Sequence, residues 1–282
     1  MDKPRYINVG GKLLDLSVPR VMGILNITPD SFYRGSRYES DDDIIKAAGI
    51  MLEEGADILD VGGYSSRPGA IDIPEEEEGR RVLGAIRKIS SVYPGAIISV
   101  DTFRASVAKA AVEECGAHII NDISGGKADP GMFELVRHLN VPYILMHMKG
   151  DPRTMQENPV YNDVVADILK WFGEGIFRLR SAGVKDIIID PGFGFGKTRE
   201  HNYDMLDRLG DFSIAGLPLM VGLSRKSMIW KPLGITAEEA LAGTISLNTI
   251  ALLKGADILR VHDVKEAVQA VKLICLLRKN AG

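Results

Sequence analysis

Cysteine is almost missing from this chain: Cys115 and Cys275 are the only two in 282 residues, and no CxxC pair occurs. That scarcity excludes a disulfide-stapled scaffold and fits a reducing, cytoplasmic compartment. There is no HxH, no HExxH and no Cys/His cluster, so a zinc-dependent hydrolase has no ligand set. No apolar run approaches the length of a membrane span, and Met1 to Leu16 holds no signal-peptide core. Excess positive charge is also lacking. With a net charge of -4 and a pI near 5.8, a general nucleic-acid-binding surface is excluded, while a local basic pocket for an anionic ligand stays open. Low-complexity tracts and linkers are absent too, the 30 glycines and 13 prolines being spread along the chain.

What is present is a repeating unit. Apolar runs at Val21 to Leu25, Ile58 to Val61, Ile97 to Val100, Ile119 to Ile123, Tyr143 to Met146, Ile187 to Ile189, Leu219 to Leu223 and Ile258 to Val261 read as buried strands. Between them lie amphipathic patterns such as Ile44 to Glu54 and Glu75 to Val92. An internal echo supports the count. Glu54-Gly-Ala-Asp-Ile-Leu59 and Lys254-Gly-Ala-Asp-Ile-Leu259 match, Cys115-Gly-Ala-His-Ile-Ile120 is a looser copy, and each reads as helix stop, turn, strand start. The expected class is α/β: a single (β/α)8 barrel domain over 1–282, with residues 1–18 as an N-terminal hairpin extension turning at Gly10-Gly11 and capping one end. An open doubly wound sheet of eight strands is the alternative.

At the carboxyl ends of these runs stand Asn26, Asp60 before Gly62-Gly63, Asp101, Asn121, Met146 with His147, Asp190, Ser224 with Lys226, and Arg260 with His262. On a parallel barrel this rim is where a site forms. Any one of them serves equally well as a helix cap. Capping does not, however, require Asn, Asp, Lys, Arg and His at successive strand ends of one face. Asp101, Asn121 and Asp190 supply the fixed acceptors and the amide that read the donor edge of a flat nitrogen heterocycle. Lys226 and Arg260 are cations, Arg260 planar enough to stack on a ring or grip phosphate, and His262 can donate to a phosphate oxygen. The set fits a heterocycle with a phosphate-bearing arm. Long loops at Ile27 to Ser40, Gly62 to Ile73 and Met148 to Tyr161 are placed to close over it.

Sharper motifs fail on spacing. Gly192-Phe-Gly-Phe-Gly-Lys-Thr198 resembles a phosphate-binding loop, but the position where its first glycine belongs is Pro191. Lys226 follows Ser224-Arg225 in a loop, so the buried lysine of a Schiff-base aldolase is not expected there. His118, His138 and His201 read as structural or surface residues, and Glu75 to Glu78 as a complement to the helix dipole.

Nine blocks carry a resemblance. They are Met22-Gly-Ile-Leu-Asn-Ile-Thr-Pro-Asp-Ser-Phe32, Asp60-Val-Gly-Gly, Ser66-Arg-Pro-Gly-Ala70, Ser99-Val-Asp-Thr102, Asn121-Asp-Ile-Ser-Gly125, Leu145-Met-His-Met148, Asp190-Pro-Gly-Phe-Gly-Phe-Gly196, Gly222-Leu-Ser-Arg-Lys-Ser227 and Arg260-Val-His-Asp263. In this order, each at a strand end, they make the chain resemble the dihydropteroate synthases of the folate pathway over nearly its whole length. The resemblance implies condensation of 6-hydroxymethyl-7,8-dihydropterin diphosphate with 4-aminobenzoate, with Mg²⁺ as cofactor. By the family pattern Asp101, Asn121, Asp190 and Lys226 hold the pterin, with Met146 beside it. Asn26, Arg67, Arg260 and His262 hold the diphosphate, and Asn26 contacts the metal. Phe32, Ser66, Pro68, Phe195 and Ser224 line the aminobenzoate site, where sulfonamides bind such enzymes. Asp101, Lys226, Arg260 and His262 carry the catalytic work, and the family further implies a homodimer.

Two departures stand out. Tyr33-Arg34-Gly35 replaces an acidic first loop, and Tyr64-Ser65-Ser66 replaces Glu-Ser-Thr in the second, so the metal is assigned to Asn26 alone. A pterin-binding methyltransferase shares this barrel and pocket, and a catalytically silent pterin binder is a further alternative. Ser224-Arg225-Lys226 and the Ser-Arg-Pro-Gly loop favour the synthase.

Overall fold

The computed structural model describes residues 6–27, 41–65, 72–151, 155 and 159–280. An antiparallel hairpin of β1 (Tyr6–Val9) and β2 (Lys12–Asp15) comes first. There follow β3 (Arg20–Asn26), β4 (Ile58–Gly62), β5 (Ile97–Asp101), β6 (Ile119–Asp122), β7 (Tyr143–Met146), β8 (Ile187–Asp190), β9 (Met220–Val221) and β10 (Ile258–Val261). These eight pair in parallel in the order β8-β7-β6-β5-β4-β3-β10-β9. A parallel bridge between Ile189 and Leu219 joins the two ends, so the sheet is a barrel and not an open sheet. Helices α1 (Asp41–Glu53), α2 (Glu75–Val92), α3 (Ala105–Cys115), α4 (Met132–Leu139), α5 (Val164–Ala182), α6 (Arg199–Asp207), α7 (Ser227–Leu233), α8 (Leu241–Leu253) and α9 (Val264–Asn280) surround it.

The pleat sorts the apolar residues into two layers. Val21, Leu59, Ile98, Ile120, Leu145, Ile189 and Leu259 face outward and pack with the helices. Their alternates Met22, Ile58, Ile119, Ile144, Ile188, Met220 and Ile258 face inward and form a separate cluster with Ile7, Val9, Leu14 and Leu16 of the hairpin. The hairpin therefore plugs the amino end of the barrel, which fixes which end the expected cap covers. The sequence echo has a backbone cause as well. Gly55, Gly116 and Gly255 adopt φ of 101°, 87° and 100°, the left-handed turn by which a helix is stopped before the next strand.

Three expectations change. The seventh run forms only the two-residue β9, and a 3-10 helix precedes it at Leu209–Ala215. The first helix begins at Asp41, three residues before the Ile44 to Glu54 pattern, and Ser40 before it lies outside the described residues. Glu78 is more than a dipole complement: it is fully buried, accepts a hydrogen bond from Thr102 Oγ1 at 2.5 Å and lies 2.9 Å from Arg104 Nη1. It ties the start of α2 to the end of β5.

Candidate active site

Two residues beyond the apolar inner layer, on the same face of each strand, polar side chains enter the barrel at four of seven positions. Met22, Ile58, Ile119, Ile144, Ile188, Met220 and Ile258 are succeeded by Ile24, Asp60, Asn121, Met146, Asp190, Gly222 and Arg260. Asp101 ends β5 beside Asn121 on β6 and Gly62 on β4. Asn26, Asp101, Asn121, Met146, Asp190, Phe195, Lys226 and Arg260 line one cleft at this carboxyl end.

A charge network forms its floor. Arg260 donates from Nε to Asp60 Oδ2 at 2.6 Å and from Nη2 to Asp101 Oδ2 at 2.7 Å. Asn121 Nδ2 donates to the same Asp60 oxygen at 3.0 Å. Since a carboxylate only accepts, the amide of Asn121 must face it with nitrogen, which leaves Oδ1 as an acceptor with no partner among the described residues. Burial pushes the Asp101 carboxyl up to about 7, against the pull of Arg260. Burial works against the charge on Arg260 as well, but Asp60 and Asp101 override it and hold the guanidinium firmly charged.

Opposite, burial raises the carboxyl of Asp190 while Lys226 draws it back, and burial lowers the Lys226 amine to about 8 while Asp190 opposes. Lys226 caps α7 and donates to the carbonyl of Phe193, with its Nζ 4.8 Å from the centre of the Phe195 ring. Its approach is set by Arg225, which holds Asp263 through two bonds of 2.9 and 2.7 Å and adopts φ of 54°. Asp190 Oδ1 accepts from Gly192 N–H at 2.8 Å. A Cβ on Gly192 would fall 2.0 Å from the His147 carbonyl, so only glycine fits there. Ile123, Met146 and Phe195 give the cleft an apolar wall, backed by Met148, Met155 and Phe103.

The sequence model described as "Pterin binding enzyme" matches residues 22–262, the span from the first barrel strand to the last. The chain belongs to the pterin-binding enzymes. Among relatives of this family, dihydropteroate synthase of Escherichia coli is 47% identical over 266 residues, covering 94% of this chain and 93% of its own. The crystal structure of Yersinia pestis dihydropteroate synthase in a sulfonamide drug complex aligns with a TM-score of 0.93 at 40% identity, over 97% of this chain and 99% of that one. Xanthomonas albilineans dihydropteroate synthase in complex with 7,8-dihydropteroate aligns with a TM-score of 0.86 at 37% identity, over 97% and 98%. This pterin-binding enzyme is thus a transferase of the dihydropteroate synthase family.

Of the residues singled out in the sequence of this pterin-binding enzyme, Ser224 and His262 do not join the lining but pair with each other beside it, Oγ to Nδ1 at 3.0 Å. Phe32, Arg34, Ser66, Arg67 and Pro68 lie outside the described residues. The departure at Tyr64 does line the cleft, its ring edge-on to Phe103 at 4.9 Å between centroids. Lys226 lies on a loop, as expected, yet the loop carries its amine inward against Phe195 and Gly222, so a loop position does not keep this lysine out of the cleft. His118 and His201 are structural. His118 Nδ1 accepts from the Ile98 amide at 3.2 Å, and His201 completes a capping box with Thr198.

Sequence reasoning missed two residues. Asp60 was placed on the rim without a role, yet it anchors both Arg260 and Asn121. Lys197 was read only as a failed phosphate-loop lysine, yet it is buried behind the cleft. The available signal was a charged residue within or next to an apolar run, which burial makes costly unless it has work to do.

Proposed function

We propose that this chain condenses 6-hydroxymethyl-7,8-dihydropterin diphosphate with 4-aminobenzoate, releasing 7,8-dihydropteroate and pyrophosphate for folate biosynthesis. The carrying observation is the floor, where Asp101, the free acceptor of Asn121, Asp190 and Lys226 converge on one cleft. These groups match the donor edge of a pterin ring, with Met146 against its face. The bond between the methylene carbon and the diphosphate oxygen breaks first, its electron pair leaving with pyrophosphate. Positive charge then spreads into the ring, where the Asp101 and Asp190 carboxylates offset it. Arg260, His262 and Arg67 receive the leaving group. The aromatic amine, neutral at pH 7, attacks the methylene carbon and then gives up its surplus proton to the released pyrophosphate or to water. Positioning against Phe195, with Ser224 beside the lining, supplies most of the help it needs. Sulfonamides would compete for that same side of the cleft.

Magnesium fits one spot. Asn26 Oδ1 and Asp101 Oδ2 lie 3.5 and 3.4 Å from where a Cβ on Gly62 would sit, so hard oxygens converge over a glycine. An ion at this spot would take most of its ligands from the substrate phosphates and water. When bound, Mg²⁺ supplies charge neutralisation of the departing pyrophosphate. The test is pyrophosphate release from the dihydropterin diphosphate, with and without 4-aminobenzoate and Mg²⁺. Release that needs the metal, with dihydropteroate formed only when the amine is present, is expected. Pterin binding without release would instead mark a silent binder or a methyltransferase.

The ionisations predict a bell-shaped profile. Asp101 must be ionised, so kcat/KM falls as pH drops through about 7, and Lys226 must be charged, so it falls again above about 8. Each limb approaches roughly tenfold per pH unit. A profile flat from about pH 6 to about pH 9 would remove these groups from the rate-determining protonation.

Leu253, Leu273, Leu276 and Leu277 leave an exposed apolar strip on α8 and α9, which supports the homodimer that the family implies. Light scattering at the mass of one chain would refute it. No helix among the described residues is long and apolar enough to cross a membrane. The sparse cysteines support the cytoplasmic placement, which fractionation would check.

A further inference from the structure

Behind the cleft, β8 runs into an arc, residues 192–197, in which every second residue is a glycine in the left-handed region: Gly192 at φ 68°, Gly194 at 83° and Gly196 at 62°. Two of the arc's carbonyls, those of Gly192 and Phe195, turn toward a common interior point. The Lys197 amine occupies that point. Its side chain is 3% exposed, and Nζ donates to Gly192 O and Phe195 O at 2.9 Å each. It also lies 3.0 Å from His147 Nδ1 and 3.3 Å from His147 O, at the end of β7. Burial, with Lys197 next to it, presses the His147 imidazole down to about 2, so the ring is neutral and offers Nδ1 as an acceptor. Other groups hold the arc from outside. Lys226 donates to Phe193 O, Tyr161 Oη to Gly196 O at 2.8 Å, and Gly194 N–H to Asn202 Oδ1 at 2.7 Å.

The one large side chain that this arc presents to the cleft is Phe195. Its backbone is fixed by Lys197 and its ring lies against the Lys226 amine, 4.8 Å away. A lysine buried this completely costs desolvation that a methionine of similar length would not. Its three-way clasp of backbone and imidazole makes sense where the arc must hold a single shape.

We propose that Lys197 is a positioning residue: from behind the site it locks the 192–197 arc so that Phe195 meets 4-aminobenzoate in one orientation. The inference rests on the aminobenzoate reading of Phe195 given above. It concerns the second substrate: Asp101 and Asn121 stand on other strands, and Asp190, although its carboxylate accepts from Gly192 N–H, is held in β8 by its pairing with β7.

The test is Lys197→Met, examined in two ways. Hydrogen–deuterium exchange of peptides across 192–197 needs no catalysis, and about tenfold faster exchange confined to that arc is expected. In steady-state kinetics the KM for 4-aminobenzoate should rise about tenfold, while kcat and the calorimetric affinity for the pterin stay within about twofold. A merely structural lysine would lower the melting temperature without this split. Combining Lys197→Met with Phe195→Ala should add nothing to the KM effect of Phe195→Ala alone, because one change acts through the other. Unchanged exchange, equal losses on both substrates, or full additivity would overturn the proposal. Should Lys197→Met not fold, Lys197→Leu is read in the same way, and Lys197→Gln, which keeps one donor for the carbonyls, should show the same changes at smaller size. If the wild-type chain makes no dihydropteroate, the functional reading fails by itself, and the exchange measurement still decides whether Lys197 locks the arc.

Discussion

Lys226→Ala is expected to lower kcat/KM for the pterin substrate by about 10²- to 10⁴-fold. Asp190 is buried, and Lys226 is the first of the charges that hold its carboxyl down. Lys226 acts on Asp190 through space and not by a direct ion pair, and removing the cation that compensates a buried charge costs about 3–5 kcal/mol. At about 1.4 kcal/mol per tenfold, that spans the stated range. The loss has a second part, because the Lys226 amine also donates to Phe193 O and lies against Phe195. Both substrates should therefore bind less tightly, the pterin more so. Steady-state kinetics with calorimetric titration of the pterin would check this. Near-normal turnover in a folded variant would remove Lys226 from the machinery.

Asp60→Ala should do the greatest harm to the molecule as a whole. Its carboxylate is fully buried, and one oxygen accepts from both Arg260 and Asn121. Without it Arg260 keeps only Asp101, and the Asn121 amide loses its partner. A cost of about 3–5 kcal/mol is expected, because a buried cation loses half its pairing and a buried amide goes unsatisfied. In a barrel of this size that corresponds to a drop in melting temperature on the order of 10 °C. Turnover should fall about 10²-fold in the fraction that stays folded, since two groups of the floor lose their orientation. Asp60→Asn, which keeps one acceptor oxygen, should suffer less on both counts. Wild-type melting and activity in Asp60→Ala would mean that Arg260 and Asn121 hold their places unaided.

The reach of sequence reasoning follows from the distance over which each feature is encoded. Strand runs are local, and their alternation already separates Ile58 and Asp60 from Leu59. The rim residues could therefore be found as the last inward positions of each strand. Pairing across the barrel is not local. Asp60 and Arg260 are 200 positions apart, and nothing near either one announces the other. Glu78 failed for a related reason: its neighbours Glu75 to Glu77 are partly or largely exposed, so it looked like part of a solvated run, while Thr102 and Arg104 that claim it lie on another unit. Lys197 was hidden by a motif it almost fits. Its partners are backbone carbonyls, which leave no trace in residue identity.

The hairpin that plugs the amino end makes the barrel a blind well. Below Asp60, Asn121 and Asp190 lies the dry layer of Ile58, Ile119 and Ile188, sealed by Ile7, Val9, Leu14 and Leu16. Among the described residues, the cleft that reaches the carboxylates opens at the other, carboxyl end. On the proposed reading, a pterin in that cleft would separate Asp101 and Asp190 from bulk solvent, and the proton count they carry at entry would be the one with which they meet the reaction.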